Sequence, residues 1–144
     1  MPKILILCTG NSCRSQMAEA FLVSFNPDLE VYSAGTKPSN NIHLKTIEVM
    51  KELGFDLSRN VTKNVNDFLK ISFDYVITVC DESKESCPVF IGKVKNRLHI
   101  GFDDPAKIKG DEKYILNEFR RVRDEIKLRF YDFYVRQLKN QLLN

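Results

Sequence analysis

Two short apolar runs stand out along the chain, and each of them ends at a cysteine. Lys3–Leu7 precedes Cys8, and Phe73–Val79, which reads FDYVITV, precedes Cys80. Continuous apolar runs of this length are typical of strands that are buried on both faces of a parallel sheet. Two weaker strand candidates complete the set: Glu30–Ser33 and Arg97–Ile100.

Between these strands, apolar residues recur at the spacing of amphipathic helices. The segments are about Ser15–Phe25, Leu44–Leu53 and about Asp111–Leu142. Gly54 follows the second segment where a helix is expected to end, and the third carries a single apolar stripe. Strands that alternate with helices predict an α/β fold, in which an open parallel sheet of about four strands is flanked by helices. We expect one domain over residues 1–144.

Composition narrows the class of protein. A chain of 144 residues with a net charge of +3 is too weakly basic to indicate nucleic-acid binding, although the sign suits an anionic ligand. The apolar start of the chain is too short for a signal peptide, and no stretch approaches the roughly 20 apolar residues of a membrane span. We therefore expect a cytoplasmic protein without membrane contact, and a monomer by default.

The expected cytoplasmic location bears on the roles of the four cysteines. Structural disulfides are rare in a reducing cytoplasm, where cysteines are more often catalytic, metal-binding or buried. Cys8, Cys13, Cys80 and Cys87 lack the paired C-x-x-C spacing of common zinc sites, so a structural zinc ion is not expected. The two histidines have no partner pattern, and we assign them no role.

The stretch CTGNSCRS, residues 8–15, lies between the first strand and the first helix. Backbone N–H groups at the carboxyl end of a strand, together with the positive end of a helix, form a cradle for an oxyanion. Gly10 is expected to allow the tight turn, and the planar Arg14 side chain can bind two oxygens of a tetrahedral anion. The predicted oxyanion-binding residues are Thr9, Gly10, Asn11, Ser12, Cys13, Arg14 and Ser15.

Cys8 is the candidate nucleophile of this loop. A helix N-terminus and an arginine are expected to lower the pKa of Cys8, so that it is a thiolate at neutral pH. Ser15 is positioned to donate a hydrogen bond to the sulfur. In the alternative reading, Cys8 is a buried strand residue and Arg14 a surface residue. The combination of C-x5-R-S, an internal glycine, a strand before and a helix after argues against it.

Several segments of the chain resemble one known protein family. CTGNSCRSQMAEAF, residues 8–21, resembles the signature loop of the low-molecular-weight protein tyrosine phosphatase superfamily, and more closely that of its thioredoxin-coupled arsenate reductases. Further similar segments are VYSAGT (31–36), VCDESKESCP (79–88), GFDDPAK (101–107) and FRRVRDEIK (119–127). The resemblance spans nearly the whole chain and implies a low-molecular-weight phosphatase-like fold, of the flavodoxin-like or Rossmann-like kind.

The resemblance also implies roles. Cys8 attacks the oxyanion, and Asp104, which precedes Pro105, protonates the leaving oxygen. Without the resemblance, Asp-Pro would read as a simple turn. Cys80 then attacks the Cys8–arsenic adduct, Cys87 attacks Cys80, and thioredoxin reduces the resulting disulfide. Arsenate is the implied substrate, phosphate and sulfate are its mimics, and no cofactor is required.

The spacing of the second cysteine pair restricts how it can form a bond. Seven residues rise about 10.5 Å on an intact helix, whereas a disulfide needs Cα atoms about 5.5–6 Å apart. Cys80 and Cys87 can therefore pair only if the segment between them is a loop or unwinds, and we predict that it rearranges on oxidation. If the strands before Cys8 and Cys80 are neighbours, both sulfurs emerge at the same edge of the sheet.

A phosphatase that forms a Cys8 phosphocysteine is the alternative activity. Ser12 and Gln16 stand where phosphatases of this superfamily usually have an apolar residue and a proline, and Ala106 follows Pro105 where an aromatic residue is usual, which favours a reductase. Cys80-Asp-Glu-Ser, however, resembles the Met-Asp-x-Ser of phosphatases, so weak phosphatase activity is expected as well. A non-catalytic phosphate-binding module is disfavoured because nucleophile, arginine and acid are all present.

Some members of the superfamily carry a structural potassium ion. The positions that match its ligands are Asn11, Glu19 and Ser33, with Asp67 as a fourth candidate. The alternative is that Asn11 and Ser33 order the loop through hydrogen bonds and that Glu19 is a solvated helix residue.

Overall fold

The strand that precedes Cys8 lies inside the sheet, because its apolar residues need cover on both faces. A computed structural model describes residues 1–140, and its four parallel strands are ordered β2-β1-β3-β4. The strands are β1 (Lys3–Cys8), β2 (Glu30–Gly35), β3 (Phe73–Thr78) and β4 (Val94–His99). The helices are α1 (Arg14–Phe25), α2 (Leu44–Lys51) and α3 (Glu112–Phe133).

Short helical turns join these elements. Val65–Phe68 and Pro105–Lys107 form single 3-10 turns, and a π-helical turn, Tyr134–Leu138, follows α3. The α/β class and the four-stranded parallel sheet are as predicted. The expected end of the last helix at Leu142 lies outside the described residues. Over residues 1–140, no helix combines the length and apolar character that a bilayer span requires.

The two faces of β1 pack against two separate clusters of buried apolar residues. Ile4 and Ile6 pack with α1 and α3, whereas Leu5 and Leu7 pack with a smaller cluster on the opposite face. The alternation follows from the period of two along a strand. The apolar stripe of α3 is buried as expected, and it includes Phe119, Val122, Ile126, Phe130 and Phe133.

β4 begins three residues earlier than the sequence pattern indicates, at Val94 rather than Arg97. All of its residues are exposed or half-buried, since within residues 1–140 β4 is an edge strand that pairs with β3 alone. Pairing rather than apolar content defines this strand, so its start could not be read from hydrophobicity. β2 likewise continues to Gly35 because Cys8 of β1 pairs with it.

β1 and β3, the two strands that lead to cysteines, are adjacent and parallel, which meets the condition for both sulfurs to emerge at the same end of the sheet. Leu7 pairs with Thr78, and the backbone N–H of Val79 donates to the Leu7 carbonyl at 3.2 Å. Cys8 is the last residue of β1 and Cys80 comes two residues after β3, so both lie at the carboxyl end of neighbouring strands. This edge is where α/β proteins bind ligands.

Candidate active site

Residues 8–15, the oxyanion loop, form one wall of a cavity of about 550 Å³. α1 begins within this loop at Arg14, and no side chain in the described part of the chain caps the N-terminus of that helix. Its first N–H groups therefore remain available to an anion. The other walls come from three loops and contain Lys37, Ser39, Lys84, Glu85, Ser86, Asp104, Ala106 and Lys107.

The tight turn of the oxyanion loop is made at Asn11, not at Gly10. Asn11 has φ +52°, in the left-handed region that asparagine tolerates better than most residues, whereas Gly10 has no positive φ. The expectation that Gly10 supplies the turn is therefore wrong. Gly35 is the glycine that the loop requires, because a Cβ atom there would lie 2.2 Å from the Thr9 carbonyl oxygen.

The side chain of Asn11 is fully buried and joins the loop to its surroundings. Its Nδ2 donates to the hydroxyls of Ser15 at 2.8 Å and Ser33 at 2.9 Å. Its Oδ1 accepts from Gln16 Nε2 at 3.1 Å and from the backbone N–H of Lys63 at 2.9 Å. A proline at position 16 would have no side-chain N–H to donate to Asn11. The side-chain amides of both Asn11 and Gln16 therefore hold the loop.

Replacing Asn11 by alanine is expected to reduce the free energy of unfolding by roughly 3 kcal/mol, because buried partners lose hydrogen bonds and alanine tolerates a positive φ poorly. Urea unfolding of the reduced protein measures this change. Asn11→Gly is the matched control, since glycine tolerates the turn but lacks the side-chain amide. It should recover only about 1 kcal/mol of the unfolding free energy that Asn11→Ala loses. Wild-type stability in both variants would show that the amide network does not hold the loop.

Cys8 is a free cysteine with only 3% of its surface exposed. Its Sγ lies 3.0 Å from the Ser15 hydroxyl, as expected, and accepts a hydrogen bond from the Asn11 backbone N–H at 3.2 Å. Burial nevertheless raises the pKa of Cys8, although Ser15, Asn11 and Arg14 act in the opposite direction. The expected lowering of the Cys8 pKa is therefore not found in this structure, because removal of the sulfur from water outweighs these contacts.

The guanidinium of Arg14 is already bound by a carboxylate. Its Nη1 and Nη2 donate to the two oxygens of Glu85 at 2.7 Å and 3.0 Å, and Nη1 also donates to the Phe102 carbonyl at 3.0 Å. Burial opposes the ionisation of Glu85, but the bonds from Arg14 prevail and hold its pKa below the usual range. Glu85 thus takes the place of two oxyanion oxygens. Sequence reasoning missed this contact because several acids lie between Cys80 and Cys87, and nothing distinguishes this one.

The two adjacent aspartates point in different directions. Asp104 lines the cavity, with Oδ2 3.6 Å from Arg14 Nη2, while its Oδ1 accepts from the Ala106 N–H at 3.0 Å. Asp103 instead forms an ion pair with Arg121 at 3.0 Å. Asp104 is therefore the member of the pair that faces the oxyanion loop, and its role as the acid stays a prediction.

Three lysines at the cavity were not foreseen as site residues. Lys37, Lys84 and Lys107 come from separate loops, and all three line the same cavity as Cys8. Together with Arg14 they make its surroundings positive, which favours entry of an anion. No local motif marks them, so only the folded arrangement reveals them.

Cys80 and Cys87 form a disulfide beside this cavity, with Cα atoms 5.8 Å apart. The residues between them form turns rather than a helix, in agreement with the prediction that an intact helix cannot hold this bond. Cys80 is fully buried, whereas Cys87 is partly exposed. An external reductant therefore reaches the pair through Cys87.

Comparison with known proteins shows the family to which this chain belongs. The low molecular weight phosphotyrosine protein phosphatase family matches residues 3–143. The chain belongs to this phosphatase family. An arsenate reductase of Staphylococcus aureus is 44% identical over 135 residues, which cover 92% of this chain and 96% of that protein.

Solved structures of the phosphatase family agree. An arsenate reductase in the phosphate binding state superposes with a TM-score of 0.77 at 29% identity, over 94% of this chain and 98% of that chain. A thioredoxin-dependent arsenate reductase of Corynebacterium glutamicum gives a TM-score of 0.58 at 27% identity, over 91% of this chain and 62% of that chain. The family resemblance drawn from the sequence is confirmed.

Cys13 plays a different part from the other cysteines of this phosphatase-family chain. It is buried in the core under α1, and burial raises its pKa to about 11. Thiol oxidation requires exposure and thiolate character. The burial of Cys13 therefore disfavours its oxidation.

The residues suggested for a potassium ion do not fit one in this member of the phosphatase family. Asn11 Oδ1 is already engaged by two donors, and Nδ2 rather than an oxygen of Asn11 faces Ser33. The ammonium of Lys63 lies 3.8 Å from the Glu19 carboxylate, so a side chain supplies the positive charge there. Within residues 1–140, no hydrogen bond or ion pair joins Asp67 to this group.

Proposed function

We propose that this chain reduces arsenate to arsenite and passes the electrons through Cys8, Cys80 and Cys87. The observation that carries this function is the Cys80–Cys87 disulfide, which lies at the same sheet edge as the free Cys8 of the oxyanion loop. A phosphatase of this fold needs the nucleophile, the arginine and the acid, with water for its second step. A second pair of thiols is what a two-electron reduction additionally requires.

The first step forms a bond between sulfur and arsenic. Arsenate displaces Glu85 from Arg14 and binds the N–H groups of the loop, whose positive field then favours the Cys8 thiolate. The thiolate attacks arsenic, one As–O bond breaks, and the oxygen leaves as water with a proton from Asp104. Ser15 donates to the sulfur before the attack.

The next steps transfer two electrons. The Cys80 thiolate attacks Cys8 Sγ, the S–As bond breaks, and its electron pair stays on arsenic, which leaves as arsenite. Cys87 then attacks Cys80, which releases the Cys8 thiolate and forms the Cys80–Cys87 disulfide. Two thiols are thereby oxidised for each arsenate that is reduced, and Cys8 is ready for another round.

Thioredoxin is the proposed reductant of the disulfide. The partly exposed Cys87 and the thioredoxin-dependent relative of Corynebacterium glutamicum support this choice. A dithiol reductant attacks one sulfur, and its own disulfide forms as both protein thiols are restored. A monomer that works in the cytoplasm is part of the same proposal.

Arsenate-dependent NADPH oxidation in the presence of thioredoxin and thioredoxin reductase tests this function. We expect turnover in the wild type and a loss of about 1,000-fold or more in both Cys80→Ser and Cys87→Ser, because the relay cannot close without either thiol. Phosphate binding by calorimetry is the control, with all three proteins in the reduced form, since neither change alters a residue of the oxyanion loop. Undiminished turnover in either variant would contradict the relay.

The same three proteins separate the reductase from a phosphatase. The resemblance predicts weak hydrolysis of para-nitrophenyl phosphate through Cys8, and this hydrolysis should not depend on Cys80 or Cys87. If the wild type hydrolysed this ester efficiently and left arsenate untouched, the chain would be a phosphatase with an incidental cysteine pair.

A further inference from the structure

A cluster of soft donor atoms lies outside the oxyanion loop, on the side of β3 and β4. The sulfurs of Cys80 and Cys87 and a ring nitrogen of His99 all lie within 4.8 Å of one another. Two sulfurs and one imidazole are a ligand set that zinc-class cations prefer. His99 has no part in the reduction described above, so its place beside the relay thiols needs another explanation.

The imidazole of His99 is held in a fixed orientation. His99 ends β4 and pairs with Thr78, the last residue of β3, whose hydroxyl lies 2.7 Å from His99 Nδ1. A Cβ atom on Gly101 would lie 2.8 Å from His99 Nε2 and 2.9 Å from the Cys80 carbonyl oxygen. The absence of a side chain there leaves room for the ring beside Cys80. Metal-binding histidines are oriented by hydrogen bonds of this kind on the second ring nitrogen.

A carboxylate completes the donor set. Glu82 Oε1 lies 3.6 Å from His99 Nδ1, and 64% of the Glu82 side chain is exposed, so it can turn toward the cluster. Glu82, Cys87 and His99 also line one shared cavity of about 300 Å³. Cys87, an imidazole and a carboxylate therefore face one accessible cavity, while Cys80, which is bonded to Cys87, is buried.

We propose that the reduced form of the chain binds one zinc-class divalent cation through Cys80, Cys87 and His99, with Glu82 or water as the fourth ligand. A dithiol reductant first opens the disulfide by two electrons, and the cation then displaces the two thiol protons. Zinc holds sulfur at about 2.3 Å and nitrogen at about 2.0–2.1 Å, so its ligand atoms lie roughly 4 Å apart or less. In the disulfide the two sulfurs are bonded to each other, so they must move apart when the disulfide is reduced, whereas a His99 ring nitrogen already lies within 4.8 Å of both.

This site explains why the C-x-x-C spacing of structural zinc is absent. The two cysteines are seven residues apart, and they offer thiolates only when the disulfide is open. A cation bound there withholds both thiols from Cys8, while the oxyanion loop stays intact. The cation therefore acts as an inhibitor of electron transfer and not as part of the fold. Its binding depends on the open dithiol and not on arsenate turnover.

Cobalt is the probe for the test, because thiolate ligands give Co²⁺ intense charge-transfer absorption. Co²⁺ is titrated anaerobically into the fully reduced, metal-free full chain, and Zn²⁺ is then added as a competitor. We expect one equivalent of Co²⁺ with a thiolate band, displacement by Zn²⁺, and no band in the disulfide form. His99→Ala should weaken binding by at least 10-fold, and Glu82→Gln by less.

Two further variants make the assignment specific. His43→Ala removes the other histidine, which caps α2 away from the cluster, and it should leave the cobalt spectrum unchanged. Cys8→Ser tests the other thiols, and it should also retain the band. A band that survives His99→Ala at full affinity, or that disappears in Cys8→Ser, would overturn the proposed site.

Turnover gives an independent readout. Zn²⁺ should stop thioredoxin-coupled arsenate turnover of the wild type at concentrations that leave His99→Ala at least 10-fold less inhibited. Equal inhibition of both proteins would overturn the site. Absent arsenate turnover with intact metal binding would contradict the proposed function alone, so the two failures can be told apart.

Discussion

Cys8→Ser is expected to abolish arsenate reduction even within a single round, whereas Cys87→Ser should complete half of the cycle. A serine hydroxyl in the buried position of Cys8 cannot form the S–As bond or accept electrons as a disulfide. Cys87→Ser keeps both thiols that the first round needs, and it should release about one arsenite per chain and stop as a Cys8–Cys80 disulfide.

The single-round experiment mixes reduced protein with arsenate and follows arsenite release and the disulfide by mass spectrometry. We expect the rate in Cys8→Ser to fall by about 10⁴-fold or more, the scale on which a lost nucleophile acts. The matched pair of cysteine variants separates loss of the nucleophile from loss of recycling. Arsenite release by Cys8→Ser, or none by Cys87→Ser, would mean that another thiol starts the reaction.

Glu85→Gln is expected to tighten phosphate binding to the oxidised protein by roughly 10- to 100-fold, since a charge-assisted bidentate pair must otherwise be displaced. The glutamine keeps the size of the side chain but removes the charge that competes for Arg14. Calorimetry of the disulfide form with phosphate measures the change. The reduced form should respond less if reduction releases the segment that carries Glu85.

Asp132→Asn provides the control for net charge. Asp132 also carries one negative charge, but it pairs with Arg136 at the exposed end of α3. If both substitutions tightened phosphate binding equally, the effect of Glu85→Gln would come from net charge alone. Unchanged affinity in Glu85→Gln would mean that Glu85 leaves Arg14 without cost.

The acidity of Glu85 also predicts how this contact depends on pH. Burial opposes ionisation, but the bonds from Arg14 keep its pKa below the ordinary value of about 4.3. Because the folded-state pKa is lowered, the contact contributes its full stabilisation at pH values above the ordinary pKa of glutamate. This stabilisation is lost as the pH falls through the folded-state pKa. At neutral pH the contact is therefore closed, and opening it requires an incoming oxyanion or movement of residues 81–86.

The sequence predicted those parts of the site that depend on chain neighbours. The apolar runs before Cys8 and Cys80 indicated two buried strands, and in the structure they are adjacent. The sulfur–hydroxyl contact between Cys8 and Ser15 also followed from the loop pattern. Local spacing sufficed for the contact between Cys8 and Ser15, which are seven residues apart, whereas the adjacency of β1 and β3 is a long-range pairing.

The parts that were missed depend on burial or on contacts between distant segments. The pKa of Cys8 is raised by desolvation, which no motif reports. The turn at Asn11 is stabilised by four partners from three segments of the chain, since Ser15 and Gln16 belong to α1, Ser33 to β2 and Lys63 to a later loop. Glu85 reaches Arg14 across 71 positions of the chain, and β4 is defined by pairing with β3.

The amide network around Asn11 contains no residue from 80–87, since its partners are Ser15, Ser33, Gln16 and Lys63. Anion recognition and electron delivery are thus built as separate modules, which meet mainly where Glu85 contacts Arg14. Evolution can lengthen, shorten or strip of cysteines the electron-carrying module without dismantling the anion receptor. A fold of this design can therefore retain one anion receptor while its electron-carrying segment changes.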